Sequence, residues 1–452
     1  MRGWPLWIGI GLGGCQPSDD PSGDALLLAV LPYTGKWEDK GILHENAVRM
    51  ALEDLIDAGI QDAYGGRFKV LTVNSGDGAD VVESAVRDII TGPDGDKVLG
   101  IVSSTGDAHE GSAKVAVEYG VPHFEGSNGA SDAEFLDWTA WSTDELGYLL
   151  SARALCTFEA QYTAQYILDQ FPTGRIAFVR GDEIHDKMHT AVVRATLAAA
   201  GFQGTLIESH DPALAGEADP GNAQDYQVSY DDLDAGGVET QLHDLVTAES
   251  PDVLFFHVRG DAPNLRMLQD ADRAGFEGRI ATCGMARTTG LLDPNENGLI
   301  SDYLVGHDAS NPTDRFHFLM RGAIPSDRLD AFKAEYESRY GMAADTFTPG
   351  VYDATMAWAL GVLAAGDKDR AHVLGGIVDV SRGGALGSRD DAKALVEAVA
   401  SGQDVDYDGA SGPMDVRDDR TVPGYYYVER VIANGDGTFG YEKLPDPAPV
   451  VF

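Results

Sequence analysis

The sequence predicts an α/β protein of two doubly wound parallel-sheet lobes. Three observations predict it. Short apolar runs alternate with amphipathic segments of helical period along most of the chain. The alternation is interrupted once, over 132–160, and then restarts. The 452 residues also exceed what one hydrophobic core holds, about 250–300 residues.

The order of elements follows from the same patterning. "ALLLAVLP" from Ala25 reads as a buried strand, and "HENAVRMALEDLIDAGI" places Val48, Leu52, Leu55 and Ile56 on one helical face and stops near Gly59. "RFKVLTVN", "ADVVESAVRDII", "DKVLGIVSS", "AHEGSAKVAVEYG" and "VPHFEGS" continue strand, helix, strand, helix, strand. After the break come "RIAFVRGD", a helix over 186–200, "FQGTLIES", a helix over 238–249, "PDVLFFHVRGD", a helix over 263–274 and "GRIATCG". Helices over 326–340 and 350–365 follow. The tail from "GPMDVRDD" to "GYEKL" alternates and turns like antiparallel hairpins.

The N-terminus needs a separate reading. Gly9, Gly11 and Gly14 fit the glycine spacing of a dinucleotide loop. That loop needs a strand before it and a helix after it, and neither flank supplies one. A basic Arg2, an apolar run from Trp4 to Leu12 and small residues instead read as an export signal. Leu12-Gly13-Gly14-Cys15 resembles the lipobox of bacterial lipoproteins, which implies cleavage before Cys15 and acylation of Cys15; residues 1–15 are then the signal and 16–24 a tether.

Charge narrows the partners. A net charge of −40 repels phosphate backbones, so nucleic acid is not an expected partner. The acids are dispersed, which suits a solvated surface and a salty medium, where self-repulsion is screened. Outside the signal, the cysteines are Cys156 and Cys283. In an oxidising compartment they read either as a disulfide or as two buried thiols.

In parallel sheets, ligands gather beyond the carboxyl ends of the strands, beside helix N-termini. In the first lobe this singles out Tyr33 and Trp37 as walls for an apolar group. It also singles out Ser103, Ser104 and Thr105, whose hydroxyls serve either as helix caps or as ligand donors. In the second lobe "FVRGD" and "HVRGD" end strands, which places Arg180 with Asp182 and Arg259 with Asp261, as internal pairs or as grips for an anion. His185 and His189 in "HDKMH" have the i, i+4 spacing of a zinc pair, but Asp186 stands where a metalloprotease has Glu, and no third ligand is evident. Neither a nucleophile elbow nor a P-loop is present. No metal, no cofactor and no catalytic residue is expected.

Taken together, "AVLPYTGKWEDKG", "DKVLGIVSSTGDAHEGSAKVAVEYGVPHFEGSNGASDAEF", "GVYDATMAWALGVL" and "DVDYDGASGPMDVRDD" resemble, in order and spacing, the type I periplasmic binding proteins of the leucine/isoleucine/valine-binding group. The resemblance implies lobes at 25–153 plus 303–405 and at 154–302 plus 406–445, joined by three crossovers that hinge shut on a small solute. By position it implies that Ser104, Thr105, Ser127, Asn128 and Ser131 hold an amino acid's carboxylate and ammonium. The second lobe departs from the group: His185 stands where a Tyr is usual, and Gly284, Met285 and Arg287 stand where an acidic residue is usual. Amides, organic acids and peptide fragments therefore remain open as ligands. The expected partners are this ligand, an ABC permease, and the membrane through the lipid anchor alone. The protein is expected to be a monomer. The alternatives are a sensory module of the same fold docking on a signalling protein, and a secreted hydrolase using the cleft.

Overall fold

The structure, a computed structural model, describes residues 23–76, 78–104, 106–126, 147–153, 156–181, 184–208, 226–228, 239–258, 261–283, 315–418, 420–434, 436, 438–445 and 450–451. The chain opens with β1 (Ala25–Leu31), α1 (Glu38–Asp57), α2 (Ile60–Tyr64), β2 (Phe68–Asn74), α3 (Ala79–Ile90), β3 (Val98–Ser103), α4 (Gly106–Tyr119), β4 (His123–Glu125) and β5 (Leu149–Ser151). These strands form one parallel sheet in the order β2-β1-β3-β4-β5. Every residue of β1 and β3 is buried, as expected of central strands covered on both faces. β5 lies within the stretch that breaks the sequence rhythm, because three residues are too few to show a period.

The second series runs α5 (Cys156–Gln170), β6 (Arg175–Gly181), α6 (Ile184–Ala199), β7 (Thr205–Ile207), β8 (Tyr226–Val228), α7 (Glu239–Glu249), β9 (Val253–His257), α8 (Asp261–Arg273), β10 (Arg279–Cys283) and β11 (Phe316–Gly322). The chain then builds α9 (Asp327–Tyr340), α10 (Thr348–Ala365), α11 (Arg370–Val380), β12 (Ala385–Ser388), α12 (Ala392–Ala400), β13 (Val405–Asp408), β14 (Tyr425–Ala433), β15 (Phe439–Lys443) and β16 (Val450–Val451). The second sheet is ordered β15-β14-β11-β10-β9-β6-β7, with β8 also on β6 and β16 on β14. It is parallel from β6 to β11 and antiparallel at β14 and its partners. The expected C-terminal hairpin is thus β14–β15. β12 and β13 form a small parallel pair of their own.

Sheet membership moves two of the expected lobe boundaries. A division at 302/303 puts β11 in the first lobe, but it pairs with β10 and β14. Five consecutive buried residues, Phe316–Met320, need a neighbour on each side. The chain therefore crosses back after Gly322. At the other end, Ala410, Met414, Val416 and Val422 belong to the first lobe's core, so the last crossing precedes Tyr425 rather than following residue 405. The first crossing lies between Ser151 and Cys156.

Four apolar clusters fill the layers, one on each face of each sheet. The largest is organised by α10, which is buried from Thr348 through Leu363. A helix apolar around its whole circumference is one surrounded by protein. Its Trp358 is fully buried against β3 at Gly100, where a Cβ would overlap the indole. Arg370 begins α11 and ties it to the base of the first sheet, donating to the carbonyls of Val98 at 3.0 Å, Tyr119 at 3.0 Å and Gly95 at 2.6 Å.

Candidate functional site

The carboxyl ends of β1 and β3 place Tyr33, Ser103 and Ser104 at one rim. Ser103 is wholly buried and its Oγ has no partner among the described residues; Ser104 is buried beside it. The Ser103 carbonyl accepts from Gly126 N at 2.9 Å, which holds the end of β4 against β3. Tyr33 is engaged elsewhere. Its N–H donates to Asn74 Oδ1 at 2.9 Å and its hydroxyl to Glu45 Oε2 at 3.0 Å, while its ring packs on the first core. Burial, with Glu45 adding, pushes its hydroxyl far above the ordinary tyrosine value. Tyr33 therefore braces α1 against the sheet rather than offering a free hydroxyl to a ligand. Trp37 is half-buried at the end of a single 3₁₀ turn leading into α1. Thr105, Ser127, Asn128 and Ser131 lie outside the described residues, as does Cys15.

In the second lobe, Arg180 is buried near the end of β6 and its Nη1 donates to the Gly181 carbonyl at 3.0 Å. Asp182, Arg259 and the side chains of His185 and Asp261 lie outside the described residues. His189 is fully buried, stacked on His257 with ring centroids 4.0 Å apart. His257 Nδ1 lies 3.0 Å from Asp186 Oδ1, and both residues are fully buried. This places His189 in a buried polar cluster with His257 and Asp186. No group of three or more metal-holding side chains occurs among the described residues. Sequence reading missed His257 as the partner of Asp186; the one polar residue of an otherwise apolar "VLFFH" strand was the available signal.

A parallel arrangement lies under the first rim. His109 on α4 and His123 on β4 are fully buried with ring centroids 5.0 Å apart, and Ser112 Oγ lies 2.8 Å from His123 Nε2. Burial lowers His109 to about 3, and burial together with His109 pulls His123 well below the ordinary value. Both imidazoles are neutral at neutral pH.

Where the crossings converge, the two conspicuous sequence segments prove to be halves of one structure. Asp353, in the "YDA" of α10, is fully buried. Its carboxylate accepts from Tyr407 OH at 2.9 Å, Ala410 N at 2.8 Å, Ser411 N at 2.7 Å and Ser411 Oγ at 2.5 Å. Ser411 O in turn accepts from Ile324 N at 2.8 Å on the second crossing. Arg153, on the first crossing, donates through Nη2 to Arg321 O at 3.2 Å and lies over the Phe347 ring at 4.4 Å. Arg321 pairs with Glu159 at 3.5 Å. Cys283 is buried at the end of β10 and the side chain of Cys156 is outside the described residues; no disulfide is formed among the described residues.

Comparison with known proteins adds three findings. A family model described as "Periplasmic binding protein" matches residues 28–436. Sequence comparison with curated proteins gives no match. Among solved structures, a leucine binding protein from Thermotoga maritima superposes with a TM-score of 0.62 at 16% identity, covering 94% of this chain and 99% of that one. A branched-chain amino acid transporter substrate binding protein from Streptococcus pneumoniae, in complex with isoleucine, gives 0.60 at 14% identity, covering 93% and 99%. An ABC transporter solute binding protein from R. palustris, in complex with benzoate, gives 0.61 at 13% identity, covering 94% and 98%.

Proposed function

The chain belongs to the periplasmic binding protein family, and from that premise we propose that it is an extracytoplasmic receptor, lipid-anchored through Cys15, that delivers a small solute to an ABC importer. The observation that carries this reading is the presence of two sheets, one parallel and one parallel from β6 to β11, each with buried polar groups beneath its carboxyl rim, in a chain that passes between them three times. A solute that touches both rims only when they approach stabilises the closed state, and the closed state is what a permease would read. The protein binds and releases; it does not turn its ligand over.

The ligand is a small polar molecule carrying a carboxylate or amide. Ser103 and Ser104 supply hydroxyls at the β3 rim, beside the first turn of α4, where a negative charge is favoured. Relatives of this fold bind isoleucine in one case and benzoate in another, so amino acids and aromatic acids are the first classes to try. The test is a thermal-shift screen over amino acids, amides, benzoates and other organic acids, followed by calorimetry on the hits. A stabilising solute whose effect is lost in Ser104→Ala, without turnover, supports the reading. Chemical conversion of the solute would overturn it.

A further inference from the structure

We propose that Asn74, at the end of β2, is a positioning residue for the solute site: it latches the loop before α1, so that Trp37 is set at the first rim before a solute arrives. This rests on the receptor reading above, with Trp37 as the wall for the solute's apolar group. Asn74 is the last residue of β2 and lies in register with Leu31, the last of β1. Its side chain crosses to the neighbouring loop. Oδ1 accepts from Tyr33 N at 2.9 Å and from Gly76 N at 3.1 Å, and Nδ2 donates to Thr34 Oγ1 at 2.8 Å. Ser75 N adds a backbone bond to Leu31 O at 2.9 Å. One side-chain amide thus ties together two turns that follow different strands. The turns also touch backbone to backbone. A Cβ at Gly76 would overlap the Thr34 carbonyl, and one at Gly35 would stand 2.8 Å from the Gly76 carbonyl oxygen.

The latch bears on Trp37 through one turn. Thr34 is the N-cap of the 3₁₀ turn Gly35–Trp37, yet its hydroxyl does not cap that turn; it accepts the Asn74 amide proton. A single 3₁₀ turn has little stability of its own, so its conformation follows its two ends. α1 holds the far end from Glu38 onward. Asn74 and the Gly35–Gly76 contact hold the near end. The Tyr33 hydroxyl, bonded to Glu45 on α1, fixes the same loop from the helix side. Trp37 is half-buried, so it keeps surface to offer a solute on a stem that is held at both ends. A wall ordered in advance spares the solute the cost of ordering it.

Fluorine NMR of the intact protein labelled with 5-fluorotryptophan reads the loop without any solute, with Trp37→Phe assigning the Trp37 line. Asn74→Leu is close to asparagine in size but makes none of the three bonds. It should shift or broaden the Trp37 line and leave the line of Trp358, fully buried in the first core, where it was. Asn74→Asp keeps an acceptor for both backbone N–H groups and a second oxygen for the Thr34 hydroxyl, and should restore the wild-type line. Thr34→Val removes one bond, should move the same line less, and decides the matter where Asn74→Leu does not fold. Isoleucine and benzoate, titrated by calorimetry, are the binding probes. Whichever binds should bind Asn74→Leu about three- to tenfold more weakly and Asn74→Asp as it binds the wild type. A Trp37 line unmoved in these variants, a Trp358 line moved equally, or an affinity unchanged in Asn74→Leu would each overturn the proposal. Failure of both probes to bind would count against those solutes alone, and the fluorine spectra would still decide the latch.

Discussion

Gly409→Ala should damage the hinge through a single clash, and the clash can be isolated. A Cβ at 409 would stand 2.5 Å from each Asp353 carboxylate oxygen. The carboxylate cannot turn aside, because four donors from Tyr407, Ala410 and Ser411 hold it at 2.5–2.9 Å. Overpacking a filled site costs about 1–3 kcal/mol, and loosening hydrogen bonds to a charged acceptor adds about 1 kcal/mol or more. The expected loss is therefore about 2–4 kcal/mol. Asp353→Ala alone should cost about 3–5 kcal/mol, since it leaves buried donors without an acceptor. In the Asp353→Ala background the added methyl meets empty space, so Gly409→Ala should cost less than about 0.5 kcal/mol there. A double-mutant cycle by urea unfolding reads the difference as a coupling of at least about 1.5 kcal/mol. Additive losses would refute the claim that the two sequence segments form one brace.

Further expectations follow from contacts of the same kind. Gly100→Ala forces its methyl into the buried Trp358 indole and should lower stability by about 2–3 kcal/mol, with Trp358→Leu in the same chain restoring part of the loss; melting temperatures check both. Arg370→Met removes donors to three carbonyls on two segments, Gly95–Val98 and Tyr119, a loss of about 2–4 kcal/mol, readable as faster amide exchange at Gly95–Val98. Buried His109 and His123 make the fold acid-sensitive. Their folded values lie below the unfolded one of about 6.5, so the unfolded chain takes up protons first. The stability they leave intact above pH 6.5 should drain as pH falls toward 3, with a slope of up to about 1.4 kcal/mol per pH unit for each histidine. His109→Phe should flatten that slope in unfolding curves taken between pH 7 and 4. Finally, raising salt should raise the melting temperature as self-repulsion is screened.

The sequence showed its architecture where periodicity is long and clean. β1, β3, β6 and β9 are apolar runs bounded by turns, and the helices between them carry full amphipathic stripes. What it hid was short or non-local. β5 is three residues long. β11, "FHFLMRG", belongs to the second sheet because of where β10 and β14 run, which no local pattern encodes. The "YDA" and "GASG" segments were recognisable as motifs, but their common purpose rests on contacts spanning more than fifty residues. At the rims, Ser103 and Ser104 stand where strand-end logic put them. Tyr33 also stands at that rim, and its hydroxyl bond to Glu45, a partner on the following helix, is one that no local pattern announces.

The discontinuity of the first lobe bears on how the molecule is made. The face of β1 and β3 that carries Leu27 and Leu99 is closed by a helix encoded more than two hundred residues later. α1 covers part of that face as soon as it is made, but α10 is emitted far later, so the nascent first lobe keeps apolar surface uncovered until α10 has been synthesised. A polypeptide unable to finish folding early is one that a translocation channel can still thread.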